Sequence, residues 1–428
     1  MNQPPTLYLA RYLLPIHRPP VEDGALLVVN GRIAALGQRA ALSSGHSGAI
    51  VDFGEAVLLP PMANAHTHLE LSHFPRWSGE LRPPPCGADF IDWLLYLIAV
   101  KKGLSLPELD ASLADGLEWC LRLGTGAVGD ILSAPALVPR YRRSPLYGRC
   151  HLEVLGVDQY AWRKALAEVV ACLEKESFGS LQPGIAPHSP YTLSAEALET
   201  LFELIGRRHW PAMTHLAESA AEWQLIRHGD GDLVRRFYPA VGWDRHRFHS
   251  PHCSPVEYLR RCGGLRSWNL LVHGVQVTLD DCRQMAERRV AVVLCPRSNE
   301  RLGVGLPPLA DYQSAGVKLA LGTDSLASSD SLSLWEELAA ARRCYGFRLA
   351  PEQLLTMATR NGAEVLGLAG EMGVLQVGSG GHFQVLPLAS PPSLSELVEM
   401  LCSQGQHLSV SSLFLGGVDR LQSSASLN

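Results

Sequence analysis

Lysine is scarce in this chain. Only five occur in 428 residues (Lys101, Lys102, Lys164, Lys175 and Lys318), so 32 of the 37 basic residues are arginine. Against them stand 42 Asp and Glu, a formal charge of −5, which argues against a nucleic-acid-binding surface. No C-x-x-C pair occurs among the ten cysteines, which excludes a zinc ribbon and a thioredoxin-like motif, and their scatter does not resemble a disulfide framework. No basic segment followed by an apolar stretch opens the sequence. The longest apolar run, FIDWLLYLIAV (Phe90–Val100), is about half of what spans a bilayer and contains Asp92. Long charge runs and low-complexity repeats are also missing, while 46 % of residues are hydrophobic, which excludes intrinsic disorder. The expectation is a soluble cytoplasmic protein with no nucleic-acid or membrane partner, and a homodimer as its candidate assembly.

What is present has a clear order. The N-terminal stretch LYLARYLLPI, ALLVVNGRIAALG, AIVDFGEAVLLP reads as short strands broken by turns, with Asn30-Gly31 as a hairpin signal. The C-terminal GVLQVGSGGHFQVLPL and SVSSLFLGG read alike, so both ends are expected to pair into one small β-sandwich-like domain. Between them lie eight candidate strands: 58–69, 126–132, 146–157, 184–190, 212–215, 270–275, 291–295 and 318–324. Helical patterns such as SAEALETLFELIGRR separate them, there with Ser194 as N-cap. This alternation predicts an α/β fold, a (β/α)8 TIM barrel of typical size. A doubly wound sheet is the alternative, but no Gly-rich phosphate loop follows the first strand. The expected boundaries are 1–59 and 369–428 for the β-domain and 60–368 for the barrel.

Four segments carry residues suited to chemistry. In NAHTHLELS, His66 and His68 are two apart on a strand and share a face; neutral imidazole is the commonest protein ligand for zinc and similar metals. MTHLAES delivers His215 at a strand end with Glu218 three residues on. LLVHGVQV ends an apolar strand at His273. LALGTDS ends another at Asp324, where a carboxylate has no stabilising reason to be unless paired or metal-bound. Singly, these are as well explained by a satisfied core histidine, a salt-bridged glutamate or a helix cap, the last of which Ser333 or Asp330 could supply instead of Asp324. Together they fall at C-terminal strand ends, where barrel active sites are built.

On these residues, and on GIAPHSPYTLS, SPVEYL and CPRSNERLGVGLPPL, nearly the whole chain resembles the amidohydrolase superfamily, in its branch of nucleobase and nucleoside deaminases and triazine hydrolases. The resemblance implies that His66, His68, His215 and Asp324 hold one divalent metal, zinc first, with iron(II) or manganese(II) as alternatives. It implies that Glu218, His273 and Asp324 handle water and protons: Asp324 takes the attacking water's proton, Glu218 protonates the ring nitrogen, and His273 orients the water. His188 in PHSPY, and Arg297 and Asn299 in CPRSN, are implied substrate contacts, with Trp93 as a stacking candidate. Binuclear members bridge their metals with a modified lysine on strand 4; GIAPHSPY has none, so a mononuclear site is expected.

Pro60-Pro61 stands where the family usually has Pro-Gly, and Gly380-Gly381-His382 where it usually carries an acid in the β-domain. The insertion GWDRHRFHSPHCSPVEYL, with His246, His249 and His252, is expected to be a surface loop shaping the mouth rather than a second metal site. SPVEYL and F-x-D-W-L at Phe90–Leu94 are similar to the aminodeoxyfutalosine deaminase group. That implies removal of the 6-amino group of an adenine-type nucleoside, 6-aminodeoxyfutalosine of menaquinone synthesis, as ammonia. Deamination of S-adenosylhomocysteine, methylthioadenosine, adenosine or guanine, and triazine dechlorination, are the alternatives. Relatives that grip ribose with an acid after strand 1 find no counterpart in WLLYLIAV. A non-catalytic structural protein is disfavoured by the intact ligand set.

Overall fold

The computed structural model describes residues 4–79, 89–243 and 248–425. Two eight-stranded sheets organise the chain. The first draws on both ends: β1 (Thr6–Leu13), β2 (Val21–Val29), β3 (Arg32–Gln38), β4 (Ala49–Asp52) and β5 (Ala56–Leu59), then β14 (Phe383–Pro387), β15 (Ser412–Leu415) and β16 (Val418–Asp419). Its order is β16-β15-β14-β5-β1-β2-β3, with β4 also pairing with β1. The β2–β3 connection is the two-residue Asn30-Gly31 loop, whose φ values of 51° and 73° are the left-handed pair that a tight hairpin requires. Tyr8, Leu26, Ile33, Phe383 and Phe414 fill one shared apolar cluster, with Phe383 and Phe414 stacked at 4.3 Å. His382 is buried, takes the Gly416 N–H on Nδ1 at 3.1 Å and meets Tyr147 edge-on at 4.9 Å.

The second sheet is the parallel barrel: β6 (Met62–Thr67), β7 (Thr125–Leu132), β8 (Tyr147–Val154), β9 (Leu181–Pro187), β10 (Ala212–Leu216), β11 (Asn269–His273), β12 (Val292–Leu294) and β13 (Leu319–Leu321). A parallel bridge between Thr67 and Asp324 brings the end of β13 back to β6. Ala65, Ile131, Ala186, Met213, Val272 and Val293 pack inside the barrel. The larger apolar cluster lies between strands and helices, as the layered logic of the fold requires.

One expected strand, 58–69, is two. Residues 56–59 belong to the first sheet and 62–67 to the barrel. Pro60-Pro61 between them lacks both N–H groups and cannot carry a ladder across. The helices that matter below are α1 (Phe90–Lys102), α2 (Ala195–Arg208), α3 (Ala220–His228), α4 (Leu334–Tyr345) and α5 (Leu397–Gln404). The Ala197 N–H donates to Ser194 Oγ at 3.2 Å, the expected cap of α2. Ser333 holds the N-cap position of α4 but its side chain makes no cap bond. Near the C-terminus, α5 packs on α4 beside the barrel rather than on the terminal sheet. The nine described cysteines are free. Among the described residues, no helix is long and apolar enough to cross a membrane.

Candidate active site

The strand ends β6, β10, β11 and the turn after β13 converge at one end of the barrel. His66, on β6, has no exposed side-chain surface, and its Nε2 lies 3.4 Å from Asp324 Oδ1. His68, just past the strand end, places Nε2 3.8 Å from the same oxygen and 3.2 Å from His215 Nε2. His215 Nδ1–H donates to the His188 carbonyl at 3.0 Å, which leaves its Nε2 as a free lone pair. Burial, foremost, holds His66, His68 and His215 below their usual pKa, and so neutral. Burial alone would raise the Asp324 carboxyl, but the imidazoles around it, His66 foremost, keep it well below the usual carboxylate range.

This donor set suits a divalent metal. Ligating atoms of His66, His68 and Asp324 lie within 4.8 Å of one another, as do those of His66, His215 and His273. The buried Nε2 of His66 has no hydrogen-bond partner, a costly arrangement for a nitrogen with no ligand. Asp324 is supported from behind: its Oδ2 accepts from Ser298 Oγ and from Ser328 Oγ, both at 2.7 Å, while Oδ1 faces the histidines. Its backbone is left-handed (φ 57°), and its N–H and that of Thr323 donate to the His66 carbonyl, each at 3.1 Å. Gly322 precedes this turn where no side chain fits: a Cβ there would lie 2.8 Å from His66 Cβ and from Val293 Cγ1. The loop is tied to β6 by Asn64, whose Nδ2 donates to Thr323 Oγ1 at 2.7 Å and whose Oδ1 accepts the Thr323 N–H at 3.1 Å.

Glu218 and His273 face each other, Glu218 Oε1 and His273 Nε2 3.5 Å apart, both buried. Burial, then the charge of Asp324, pushes the Glu218 carboxyl well above its usual pKa, which favours its protonated form. Burial lowers His273, and its Nδ1–H donates to Asn299 Oδ1 at 3.1 Å, leaving Nε2 as an acceptor. Both residues sit at strained turns: Ala217 has φ 53° and His273 φ 71°. Glu222 braces the first of these, its two oxygens accepting the Ala217 and Glu218 N–H groups at 3.0 Å each. Asp130 braces the turn after β6: its Oδ1 accepts from Thr67 Oγ1 at 2.7 Å and the Leu69 N–H at 2.9 Å, and its Oδ2 takes the Tyr141 hydroxyl.

These groups open into a cavity of about 450 Å3. His68, His215, Glu218, His273 and Asp324 form its floor, with His188 and Glu153 at one side. Trp93 and Leu97 of α1, Tyr191, Phe237 and Trp243 make an apolar wall. Trp93 is pinned by its Nε1–H donating to the Ala327 carbonyl at 3.0 Å. Two expected substrate contacts are placed differently. Arg297 does not line the cavity: its guanidinium is caged by Asp330, by Glu336 at 2.8 Å and by Glu337 at 3.8 Å. Asn299 acts on the site through His273. In the insertion, His246 lies outside the described residues, His249 is exposed, and His252 Nδ1 lies 3.1 Å from the Arg227 carbonyl oxygen. Among the insertion's described residues, Trp243 lines the cavity.

Sequence reasoning missed Glu222, Ser298, Ser328, Asp130 and Glu153. Ser298 was inside a recognised motif, CPRSN, and Glu222 follows Glu218 by four residues. Neither spacing says which side chain turns back onto the turn preceding it.

A model of the amidohydrolase family matches residues 57–407. Among curated proteins, the chain is 33 % identical over 358 residues to an aminodeoxyfutalosine deaminase of Deinococcus radiodurans, covering 80 % of this chain and 81 % of the relative. It is 30 % identical over 390 residues to a 5-methylthioadenosine/S-adenosylhomocysteine deaminase of Nitratidesulfovibrio vulgaris, covering 87 % and 80 %. Its fold matches a solved Helicobacter pylori aminofutalosine deaminase in complex with methylthio-coformycin, with TM-score 0.83 and 22 % identity over 97 % of this chain and 99 % of that one. The chain is therefore a hydrolase that belongs to the amidohydrolase family.

Proposed function

We propose that this chain removes the 6-amino group of an adenine-type nucleoside by hydrolysis, releasing ammonia, with 6-aminodeoxyfutalosine as first substrate and methylthioadenosine, S-adenosylhomocysteine and adenosine as alternatives. The observation that carries the reading is a buried carboxyl with a raised pKa, Glu218, 3.5 Å from the buried imidazole of His273, beside the His66, His68, His215 and Asp324 donors. The names of the two curated relatives support the adenine class.

His66, His68, His215 and Asp324 would hold one divalent ion, zinc before iron(II) or manganese(II). When bound it supplies Lewis acidity and a water activated near neutral pH. Asp324, ionised and buttressed by two serine hydroxyls, accepts a proton from the attacking water. Glu218 hands its proton to the ring nitrogen beside the carbon attacked, so no anion develops in the apolar cavity. His273, its Nδ1–H tied to Asn299, offers Nε2 to orient that water. As the C–O bond forms and the C–N bond breaks, one water proton leaves on ammonia by way of Asp324, and the other restores Glu218. His188, with Nδ1 engaged by Ser189 and Thr192 hydroxyls at 3.1 and 2.9 Å, presents Nε2 to the substrate.

An ammonia-release screen of zinc-loaded protein over these nucleosides, guanine and a chlorotriazine tests the reading. Turnover of an adenine nucleoside supports it; turnover of guanine or the triazine alone overturns it. Glu218→Gln should keep its zinc and lose at least about 100-fold in kcat, the usual worth of a positioned acid–base group. A fully active variant would remove Glu218 from the mechanism.

A further inference from the structure

We propose that Glu153 recognises a vicinal diol, and that through it the cavity selects a ribonucleoside over a deoxynucleoside or a free base. The assignment rests on the deaminase reading above and names the part of the substrate that reading leaves open. Glu153 is the second-last residue of β8 and lines the cavity with its side chain only 8 % exposed. Among the described residues, no hydrogen-bond donor contacts its carboxylate; its nearest charged or titratable neighbour is His188 Nε2, 3.9 Å from Oε1. Lys101, also on the cavity wall, donates to Glu70 at 3.3 Å and Ser133 at 3.2 Å; its charge is felt by Glu153, but it gives that carboxylate no hydrogen bond.

A carboxylate only 8 % exposed that accepts no hydrogen bond from the described residues keeps a desolvation cost that the nearby Lys101 charge offsets in part and that donors on a ligand would offset further. Of the three carboxylates lining the cavity among the described residues, Glu218 and Asp324 are committed to the reaction, which leaves Glu153. The wall contributed by α1, from Trp93 to Lys102, presents no carboxylate to the cavity. The spacing is right for a sugar. The His188 ring lies 5.0 Å from the His215 ring and next to Glu153, so Glu153 is one imidazole farther from the reacting floor than His215. A purine held with its amino carbon over the floor carries its ribose on the far side of the ring, toward Glu153. Two adjacent hydroxyls can donate to the two oxygens of one carboxylate, a bidentate pairing that a single hydroxyl cannot make.

The test compares the nucleoside that wild type deaminates fastest with its 2′-deoxy and 3′-deoxy counterparts, in wild type, Glu153→Gln and Glu153→Asp. A site built to bond a hydroxyl rejects the analogue lacking it by orders of magnitude. Wild-type kcat/KM should fall at least about 100-fold on loss of either hydroxyl. In Glu153→Gln the ribo/deoxy ratio should drop below about 10, the change carried by KM, and Glu153→Asp should restore part of it. A purely structural role would lower activity on all three nucleosides alike. Wild type indifferent to the hydroxyls, or a Gln variant that keeps the wild-type ratio, overturns the diol assignment while leaving the deaminase reading intact. Ammonia from no nucleoside at all overturns the deaminase reading, and this assignment with it.

Discussion

The two serines behind Asp324 offer a quantitative test of how the site is held. Asp324 Oδ2 accepts Ser298 Oγ and Ser328 Oγ, each at 2.7 Å, in a fully buried setting. Hydrogen bonds to a charged group contribute about 1.5–3 kcal/mol each. Both hydroxyls point at one oxygen, so they favour the ionised carboxylate, the form that ligates a cation. Ser328→Ala therefore raises the free energy of that form by about 1.5–3 kcal/mol, which corresponds to roughly a 10- to 100-fold loss of metal affinity, the usual scale for groups that orient ligands. Ser298→Ala should match it, and the double variant should lose more than the sum, because the second deletion leaves Oδ2 without a donor. Competition with a fluorescent zinc chelator reads the affinity directly. Thermal unfolding with and without zinc gives an independent measure, since the zinc-dependent gain in stability must shrink by the same free energy. Ser329→Ala is the control: that hydroxyl donates to the Ser331 carbonyl at 3.3 Å rather than to Asp324, and zinc affinity should not move. Equal zinc affinities for wild type and Ser328→Ala would refute the argument that these hydroxyls set the ligand strength of Asp324.

Two further predictions concern the barrel that carries the site. Gly322→Ala forces a Cβ to within 2.8 Å of His66 and Val293, an overpacking that costs about 1–3 kcal/mol and displaces a ligand strand; a lower unfolding temperature together with weakened zinc binding is expected, and an unchanged pair would show that the turn relaxes freely. His151, buried inside β8, has its pKa held down at about 3, chiefly by burial. Its lowered pKa means that the unfolded chain binds a proton between pH 6.5 and 3 that the folded chain refuses. The contribution is therefore intact above pH 6.5 and is lost as pH falls, at about 1.4 kcal/mol per pH unit. His151→Leu should abolish that slope, so that between pH 7 and 5 the metal-free variant loses about 2 kcal/mol less stability than metal-free wild type in denaturant titrations. Parallel pH profiles for the two proteins would remove His151 from the acid limb.

The alternation of strands and helices, the pairing of the two ends and the strand-end placement of His66, His215, His273 and Asp324 were all legible in the amino-acid sequence. Each follows from a periodicity or from a polar residue closing an apolar run, and such signals are local. Local reasoning also marked the Asn30-Gly31 hairpin and the Ser194 cap. It merged residues 58–69 into one strand because the apolar run is nearly continuous across Pro60-Pro61, and only the missing N–H groups there separate the two sheets.

Tertiary structure alone decided which side chains support the site and which leave it. Arg297 and Asn299 stand two apart in one motif, yet the first is caged by Asp330, Glu336 and Glu337, while the second sets the orientation of His273. Ser298 and Ser328 lie 30 residues apart and meet on one carboxylate oxygen. Glu153, an unremarkable acid in HLEVLG, is a cavity residue only because β8 ends beside His188. Composition and spacing constrain what a residue can do within its own strand or helix. Protonation of Glu218, the tautomers of His215 and His273 and the ionisation of Asp324 depend on burial and on partners tens to hundreds of residues away. Those partners become neighbours only when the barrel closes.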